Sequence, residues 1–523
     1  MEVCVSPLDK AKRTEILILF LCLIIGFVLR FYAFDQKSLW GDEVYTLNDS
    51  RDDLNGQIKF YKENPTYLHP PLFFILTHQF YPFTKPERDL RIIPLISGIL
   101  SIPMIYLLAR QFSPSIALPC ALSLTFMTYH ISLSQDGRSY SLLMFIGMIG
   151  LYFFIKHLQT LKRRYLLLMA FVFSILFYTS YISIPFIVLS QILWLYQPGE
   201  NNRKNTISSF LILNGIVLLL CLPWILILVA NYEGQPLMEP FQKKNPISIV
   251  NILYGVFHDW MPLGPLMMAS LITLILFPIL SKCRRNTIVL LSVFLLPIGA
   301  VYLLCKLLYI NHFVTSRYFI NFLPLFCISI YLSLSEIEDK FQRLRGLKRL
   351  KHLFIILFII SNLILLPFYY RSEKQDYRGL ANYLKGQIRD GDMIIAGTLA
   401  YFPGILHYFE VYPESRHYIY STRKVSEKEV EFRSFLSDKN NNKFVISYSD
   451  TYWRQYASEG NRLWIVVGKN NAIEIKKHTP CVLKGYFDGS FSNVERFPVD
   501  SSLYLFLLDP SSPGEKGINM PIR

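Results

Sequence analysis

The stretch ILILFLCLIIGFVLRFYAF, residues 16–34, decides the class of fold. It is apolar over about 19 residues, the length that an α-helix needs to cross the hydrocarbon core of a bilayer. The run is longer than the apolar part of a typical secretion signal, and no small-residue cleavage site follows it. We therefore interpret it as a retained transmembrane helix.

The rest of the chain repeats this pattern. Of its 523 residues, 52% are hydrophobic and only 17% are charged, whereas soluble domains carry about 25% charge. An apolar run at 69–83 is too short to span, which favours short interfacial helices in the first outer loop, 35–90. The sequence predicts about eleven transmembrane helices, at 15–34, 91–109, 115–133, 140–157, 165–181, 183–196, 206–230, 262–280, 287–308, 318–334 and 352–370.

The distribution of Lys and Arg predicts the orientation. With a cytoplasmic N-terminus, about 19 of them fall in inner loops and about 11 in the outer loops before the tail. The positive-inside rule therefore places the N-terminus in the cytoplasm, and eleven spans place the C-terminus outside. The net charge of +15 is explained by these loops, so membrane lipids rather than nucleic acid are the expected partners.

Beyond residue 370 charges become frequent and the apolar runs shorten. We predict a helical membrane domain, 1–370, followed by a small soluble α/β domain, 371–523, outside the membrane. No Cys or His spacing in the sequence is typical of a zinc site. The tail patterns are an amphipathic helix, turn and strand in DYRGLANYLKGQIRDGDMIIAG (376–397), then strands in KFVISYS (443–449), RLWIVVG (462–468) and LYLFLL (503–508).

Two motifs in the first outer loop carry ionisable groups. LWGDEVYT (39–46) places Asp42 and Glu43 just after the first span, and HPPLFFIL (69–76) places His69 at the head of a short helix. A carboxylate beside a membrane is costly to desolvate, which favours a function. A helix cap is the alternative for Asp42. His69 lies where a helix dipole favours anions, and an incidental His at a helix start is its alternative.

Further polar groups lie at the outer ends of later spans. Arg138 and Tyr140 belong to a tight turn in SQDGRSYSLL (134–143). An arginine at a membrane surface indicates either a functional site or an anchor that reaches for water. Together with Asp42 and His69, these groups would suit one external site with a carboxylate base and cations for a phosphate. The remaining candidates are Arg317 and Tyr318 in TSRYFINFLPLF (315–326), and Lys306 near the outer end of the ninth span.

The order and spacing of these motifs resemble a known family over residues 15–395. The chain is similar to GT-C type glycosyltransferases, nearest to the group that contains the dolichyl-phosphate-mannose-protein mannosyltransferases and the lipid A aminoarabinose transferases. Each motif alone is weak, and their shared order is the specific signal. The matching pieces are LWGDEVYT, HPPLFF, RIIPLISGILSIPMIYLLAR (91–110), SQDGRSYSLL, TSRYFINFLP and DYRGLANYLK (376–385).

The resemblance implies an inverting transferase that takes a sugar from a polyprenyl-phosphate donor on the outer face of, as we expect, a bacterial inner membrane. It implies that Asp42 is the essential carboxylate, with Glu43 beside it, and that His69 helps to build the donor-phosphate site. No cofactor is expected to be required. The residues expected to bind the donor are His69, Arg138, Tyr140, Lys306, Arg317 and Tyr318.

Two departures leave the metal and the acceptor open. Some lipid A-type relatives have Glu-Lys-Pro-Pro where this chain has Leu68-His69-Pro70-Pro71, so the glutamate that can hold a divalent metal is missing. Those relatives also carry Arg where this chain has Tyr45. A glycan, a lipid or a protein therefore stays open as the acceptor.

Two other classes of function compete with the transferase. A flippase or transporter of a lipid-linked sugar usually places its polar groups at the bilayer midplane, whereas the candidates here lie at the outer ends of the spans. A non-catalytic membrane scaffold would have no need of Asp42.

Overall fold

The fold is described from a computed structural model of the chain. Helices form the part of the chain before residue 371, and a sheet forms the core of the tail. The residues described are 7–63, 69–196, 206–231, 248–307, 314–341, 349–398, 400–411, 434–437, 443–448, 460, 462–476, 481–489, 501–512 and 516–520.

Apolar helices pack around one large core in the membrane domain. Many of their outward side chains are apolar and exposed, such as Leu219 and Val229, as expected of surfaces that meet lipid. The helices before the tail are α1 (Pro7–Phe31), α2 (Gly41–Asp49), α3 (Leu54–Glu63), α4 (Leu72–His78), α5 (Pro86–Asp89), α6 (Ile92–Arg110), α7 (Pro114–Phe126), α8 (Thr128–Ser134), α9 (Tyr140–Thr160), α10 (Arg163–Thr179), α11 (Ile184–Leu189), α12 (Thr206–Asn231), α13 (Ile249–Trp260), α14 (Gly264–Leu280), α15 (Arg284–Leu307), α16 (Leu323–Lys340) and α17 (Leu350–Arg371).

The described residues contain seven helices long and apolar enough to cross a membrane, or nine if each of two bent pairs is one span. The pairs are α7 with α8, bent by 61°, and α13 with α14, bent by 108°. The predicted class, a polytopic helical membrane protein, is confirmed, but the count of eleven is not. Residues 181–195, predicted as most of one span, form α11 between two 3-10 turns, because the TSYIS turn and Pro185 interrupt the helix.

The break between α7 and α8 is filled by Arg30 from α1. Its Nη2 donates to the Leu124 carbonyl at 2.7 Å and its Nη1 to the Thr125 carbonyl at 3.2 Å. Nη2 also lies 2.8 Å from Nδ1 of His130. The last carbonyls of a helix lack partners within the helix, and Arg30 donates hydrogen bonds to two of these carbonyls. Because α8 leads directly into the turn at 135–139, this break sets the direction of that turn.

A mixed six-stranded sheet forms the core of the tail. Its elements are α18 (Tyr377–Lys385), β1 (Met393–Ala396), α19 (Phe402–Tyr408), β2 (Ser434–Ser437), β3 (Lys443–Tyr448), β4 (Leu463–Val467), α20 (Lys469–Ile475), β5 (Val482–Phe487) and β6 (Leu503–Leu508). The strand order is β2-β3-β1-β4-β6-β5, with β1 parallel to β3 and β4. Buried apolar clusters cover both faces of the sheet. The four predicted strands are β1, β3, β4 and β6, and the small C-terminal α/β domain is confirmed.

Candidate functional site

Helix α2 carries the first pair of candidate residues. Trp40 precedes its first turn, and the Trp40 backbone N–H donates to Oε2 of Glu43 at 3.3 Å. This bond closes the helix start and turns the Glu43 side chain back into the protein. The Asp42 side chain keeps 40% of its exposure, whereas Glu43 keeps 1%. The two neighbours therefore face different surroundings.

Glu43 is fully occupied by contacts within the protein. Its Oε1 accepts from Nε of Arg91 and its Oε2 from Nη2 of Arg91, both at 2.7 Å. Oε1 also accepts from the Gly137 backbone N–H at 2.6 Å. A paired arginine fork of this kind fixes geometry as well as charge. Glu43 thus joins α2 to the start of α6 and to the turn that precedes Arg138.

Asp42 lies beside two arginines from distant segments. Nη1 of Arg317 is 3.9 Å from Oδ2 of Asp42. Nη1 of Arg138 donates to the Asp42 carbonyl at 3.2 Å and to Oγ1 of Thr46 at 3.0 Å. Burial would lower the pKa of Arg138, but Asp42 and then Tyr140 raise it above its usual value, so Arg138 is a cation at every physiological pH. The structure brings these predicted residues together.

Arg317 sits on a 3-10 turn, Ser316–Phe322, that leads into the N-terminus of α16. Its guanidinium carbon lies 5.2 Å from the centre of the Trp40 ring and 5.5 Å from that of Tyr140, distances at which a cation and an aromatic face attract. Its Nε donates to Oγ1 of Thr315 at 3.3 Å. Tyr318 lies in the same neighbourhood, within electrostatic range of Asp42 and Arg317.

Asp136 pairs with a residue that no sequence motif singled out. Its Oδ2 accepts from Nζ of Lys374 at 2.7 Å. Its Oδ1 accepts from the Trp40 indole N–H at 2.9 Å. Lys374 belongs to the tail, and a separation of 238 residues hides this pair from sequence reasoning.

A cavity opens next to Arg138. His69, Arg138 and Tyr140 line it beside α4. Burial, and then the nearby charge of Arg138, lower the pKa of His69 to about 3. The imidazole is therefore neutral and offers a hydrogen bond rather than a positive charge. The other lining residues are Phe73, Phe74, Ser139, Thr179, Ser180 and Ile182.

The remaining predictions concern Lys306 and a bound metal ion. Lys306 is exposed in the last turn of α15, with Nζ 5.8 Å from the centre of the Tyr302 ring, and no contact within the described ranges joins it to Asp42. Those ranges also contain no group of three His, Cys, Asp or Glu side chains that could hold a metal ion. The residue before His69, Leu68, lies outside them.

Comparison with known proteins agrees with this architecture. Residues 68–227 match the family model described as dolichyl-phosphate-mannose-protein mannosyltransferase. The crystal structure of ArnT from Cupriavidus metallidurans in the apo state has a TM-score of 0.54 at 10% identity, covering 95% of this chain and 98% of that one. The same protein bound to undecaprenyl phosphate has a TM-score of 0.52 at 12% identity, covering 96% and 99%.

No curated protein sequence matches the chain. The family model and the two structures confirm the predicted resemblance to the GT-C group, and the structures establish the fold.

Proposed function

We propose that the protein is an inverting glycosyltransferase that moves a sugar from a polyprenyl-phosphate donor to an acceptor at the outer face of the membrane. The observation that carries this proposal is the meeting of one half-exposed carboxylate, Asp42, with Arg317 and with Arg138, which lines a cavity. The likeness to ArnT bound to undecaprenyl phosphate supports a donor of this class.

The reaction needs one base and a stabilised leaving group. Asp42 takes the proton from the acceptor hydroxyl or amine as that atom attacks the anomeric carbon. The bond from this carbon to the phosphate oxygen breaks, and its electron pair leaves with the polyprenyl phosphate. A phosphate needs little protonation to leave, so the second carboxylate that a glycosidase uses is unnecessary. One displacement inverts the anomeric centre.

The two arginines act on the phosphate. Arg138 lines the cavity and is held by the Asp42 carbonyl and Thr46, and Arg317 is held over Trp40 and Tyr140. Preorganised cations of this kind stabilise charge as it develops, which is usually the largest catalytic contribution. Neutral His69 would hydrogen-bond the donor from the same cavity wall. Glu43 is a positioning residue in this scheme, because Arg91 and Gly137 occupy its carboxylate.

The proposal is tested by the binding of undecaprenyl phosphate to the purified protein. In the Arg138→Ala variant we expect the Kd to rise about 30-fold or more, because a half-buried charged partner of the ligand is lost. Arg138→Lys should restore binding only in part, since an ammonium lacks the planar fork of the guanidinium.

The matched control is Arg110→Ala. Arg110 donates to the Tyr106 hydroxyl at 2.9 Å at the other end of α6, and its loss should leave the Kd unchanged. Failure of the wild-type protein to bind undecaprenyl phosphate, or equal binding by a folded Arg138→Ala protein, would refute the assignment of the phosphate site. Movement of an intact lipid-linked sugar across the bilayer without transfer would favour the flippase instead.

A further inference from the structure

A short strap at the start of the tail, residues 373–378, lies on the loop that holds Asp42. Oε2 of Glu373 accepts from the Ser38 N–H at 3.1 Å. Oε1 of Gln375 accepts from the Gly41 N–H at 2.8 Å. Gly41 is the first residue of α2, and the side chain of Trp40 before it makes no capping hydrogen bond to that helix. The tail therefore supplies an acceptor to the N-terminus of the helix that carries Asp42.

Lys374 is the strap residue that contacts Asp136 and Trp40. Its Nζ lies 2.7 Å from Oδ2 of Asp136 and 4.4 Å from the centre of the Trp40 ring. The side chains of Lys374 and Asp136 keep 12% and 0% of their exposure. Trp40 thus contacts one cation from the tail and one, Arg317, from the membrane domain.

Asp136 also lies within electrostatic range of Arg317. Burial would raise the pKa of Asp136, but Lys374, then the Trp40 N–H and Arg317, hold it below its usual value. Asp136 is therefore an anion, and Arg91 and Arg138 lie within its electrostatic range as well as Lys374 and Arg317. Glu43 fixes Arg91, and the Asp42 carbonyl and Thr46 fix Arg138, whereas Arg317 lies 3.9 Å from Asp42. Without Lys374 the buried carboxylate would draw Arg317 towards itself, because an unpaired buried charge is costly.

We propose that Lys374 is a positioning residue of the donor-phosphate site: by pairing with Asp136, it keeps Arg317 on Asp42, Trp40 and Tyr140. This inference rests on the proposed function and extends it, since it makes the tail a structural component of the phosphate site. The tail then contributes to binding of the donor, independently of any role in binding the acceptor.

The test is a suppressor experiment on the full-length protein with undecaprenyl phosphate as the probe. Lys374→Met keeps the length of the side chain and removes its charge, and we expect the Kd for undecaprenyl phosphate to rise about tenfold. Adding Asp136→Asn removes the charge that competes for Arg317, and the amide oxygen can still accept from the Trp40 indole. The double variant should therefore bind within about twofold of wild type, a non-additive recovery that simple loss of packing does not produce.

The control is Lys385→Met. Lys385 is an exposed lysine of the same tail, with Nζ 5.5 Å from the centre of the Phe409 ring, and its replacement should leave the Kd unchanged. An unchanged Kd in Lys374→Met, or a double variant no better than the single one, would overturn the inference while leaving the proposed function intact.

A second measurement does not depend on the donor. Hydrogen exchange of the peptide 36–50 should accelerate in Lys374→Met, return towards the wild-type rate in the double variant and stay unchanged in Lys385→Met. If the wild-type protein fails to bind undecaprenyl phosphate but exchange follows this order, the proposed function is wrong and the positioning of this loop by Lys374 stands. Equal exchange in all four proteins contradicts the positioning role itself.

Discussion

Asp42 and Glu43 are neighbours in the sequence, but a helix rotates successive side chains by about 100°. Glu43 points into the protein, where Arg91 and Gly137 occupy its oxygens. Asp42 lies close to Arg317, with 40% of its side chain exposed. Burial therefore separates two carboxylates that are adjacent in the sequence.

Asp42→Asn is expected to lower transfer by about 10²- to 10⁴-fold, the usual contribution of a positioned general base. Binding of undecaprenyl phosphate should persist, because a neutral amide repels the phosphate less than a carboxylate does. Transfer from a purified polyprenyl-phosphate sugar, measured in membranes, checks both points. Asp35→Asn is the matched control, since Asp35 is an exposed acid of the same loop.

Glu43→Gln makes a useful comparison with Asp42→Asn. Loss of one partner from the buried Glu43–Arg91 pair should lower the unfolding temperature, while transfer per folded molecule falls less than in Asp42→Asn. Full transfer by a folded Asp42→Asn protein would exclude Asp42 as the base.

At the scale of elements, the break between α7 and α8 sets the direction of the turn that carries Asp136 and Arg138. Arg30 stabilises that break through the Leu124 and Thr125 carbonyls. Arg30→Met should therefore destabilise the protein by about 2 kcal/mol or more, because buried acceptors lose a charged donor. Thermal unfolding in detergent checks this, with Arg13→Met at the exposed start of the same helix as the control. Equal unfolding temperatures for the two variants would show that Arg30 does not hold the break.

Sequence patterns predict the elements that hydropathy controls and overlook those that tertiary contacts create. The apolar runs at 91–109 and 206–230 become α6 and α12, and LYLFLL becomes β6. Thr179 and Ser180 begin the TSYIS turn, and nothing in the sequence marks them as lining a cavity. The Asp136–Lys374 pair escapes for the same reason, because only folding brings the two residues together. Hydrophobic periodicity indicates which residues are buried and how long an element is, whereas the partner of a polar side chain depends on the whole fold.

At the scale of the whole molecule, the contact between the tail and the loop that holds Asp42 contains an acid, Glu373, with a shifted pKa. Burial raises the pKa of Glu373 to about 7, against the opposing effect of Lys37. The folded protein therefore keeps a proton on Glu373 between pH 4.5, its ordinary pKa, and about 7, while the unfolded chain has released it. Because the folded state binds this extra proton, the free energy of unfolding falls as pH rises through this window.

Glu373→Gln removes this titration. The unfolding temperature of the wild-type protein relative to Glu373→Gln should consequently fall as pH rises from 4.5 to 7. Glu474→Gln, on an exposed position of α20, is the control and should track the wild type across the window. A constant difference between wild type and Glu373→Gln would mean that Glu373 titrates at its ordinary value in the folded protein.

Orientation in the membrane is the prediction on which every functional assignment depends, and it rests on the Lys and Arg count. The tail packs on the loop that holds Asp42, through Gln375 and Gly41 among others, so the tail and the candidate site must lie on one side of the membrane. The positive-inside rule places that side outside the cytoplasm. A reporter that is active only outside the cytoplasm should therefore work when it is fused after Arg371. The same reporter fused after Lys162, in a loop that the rule places inside, should be silent, and a cytoplasmic reporter should give the opposite pattern. Activity after Lys162 and silence after Arg371 would move the site to the cytoplasmic face, where an acceptor outside the cell could not reach Asp42.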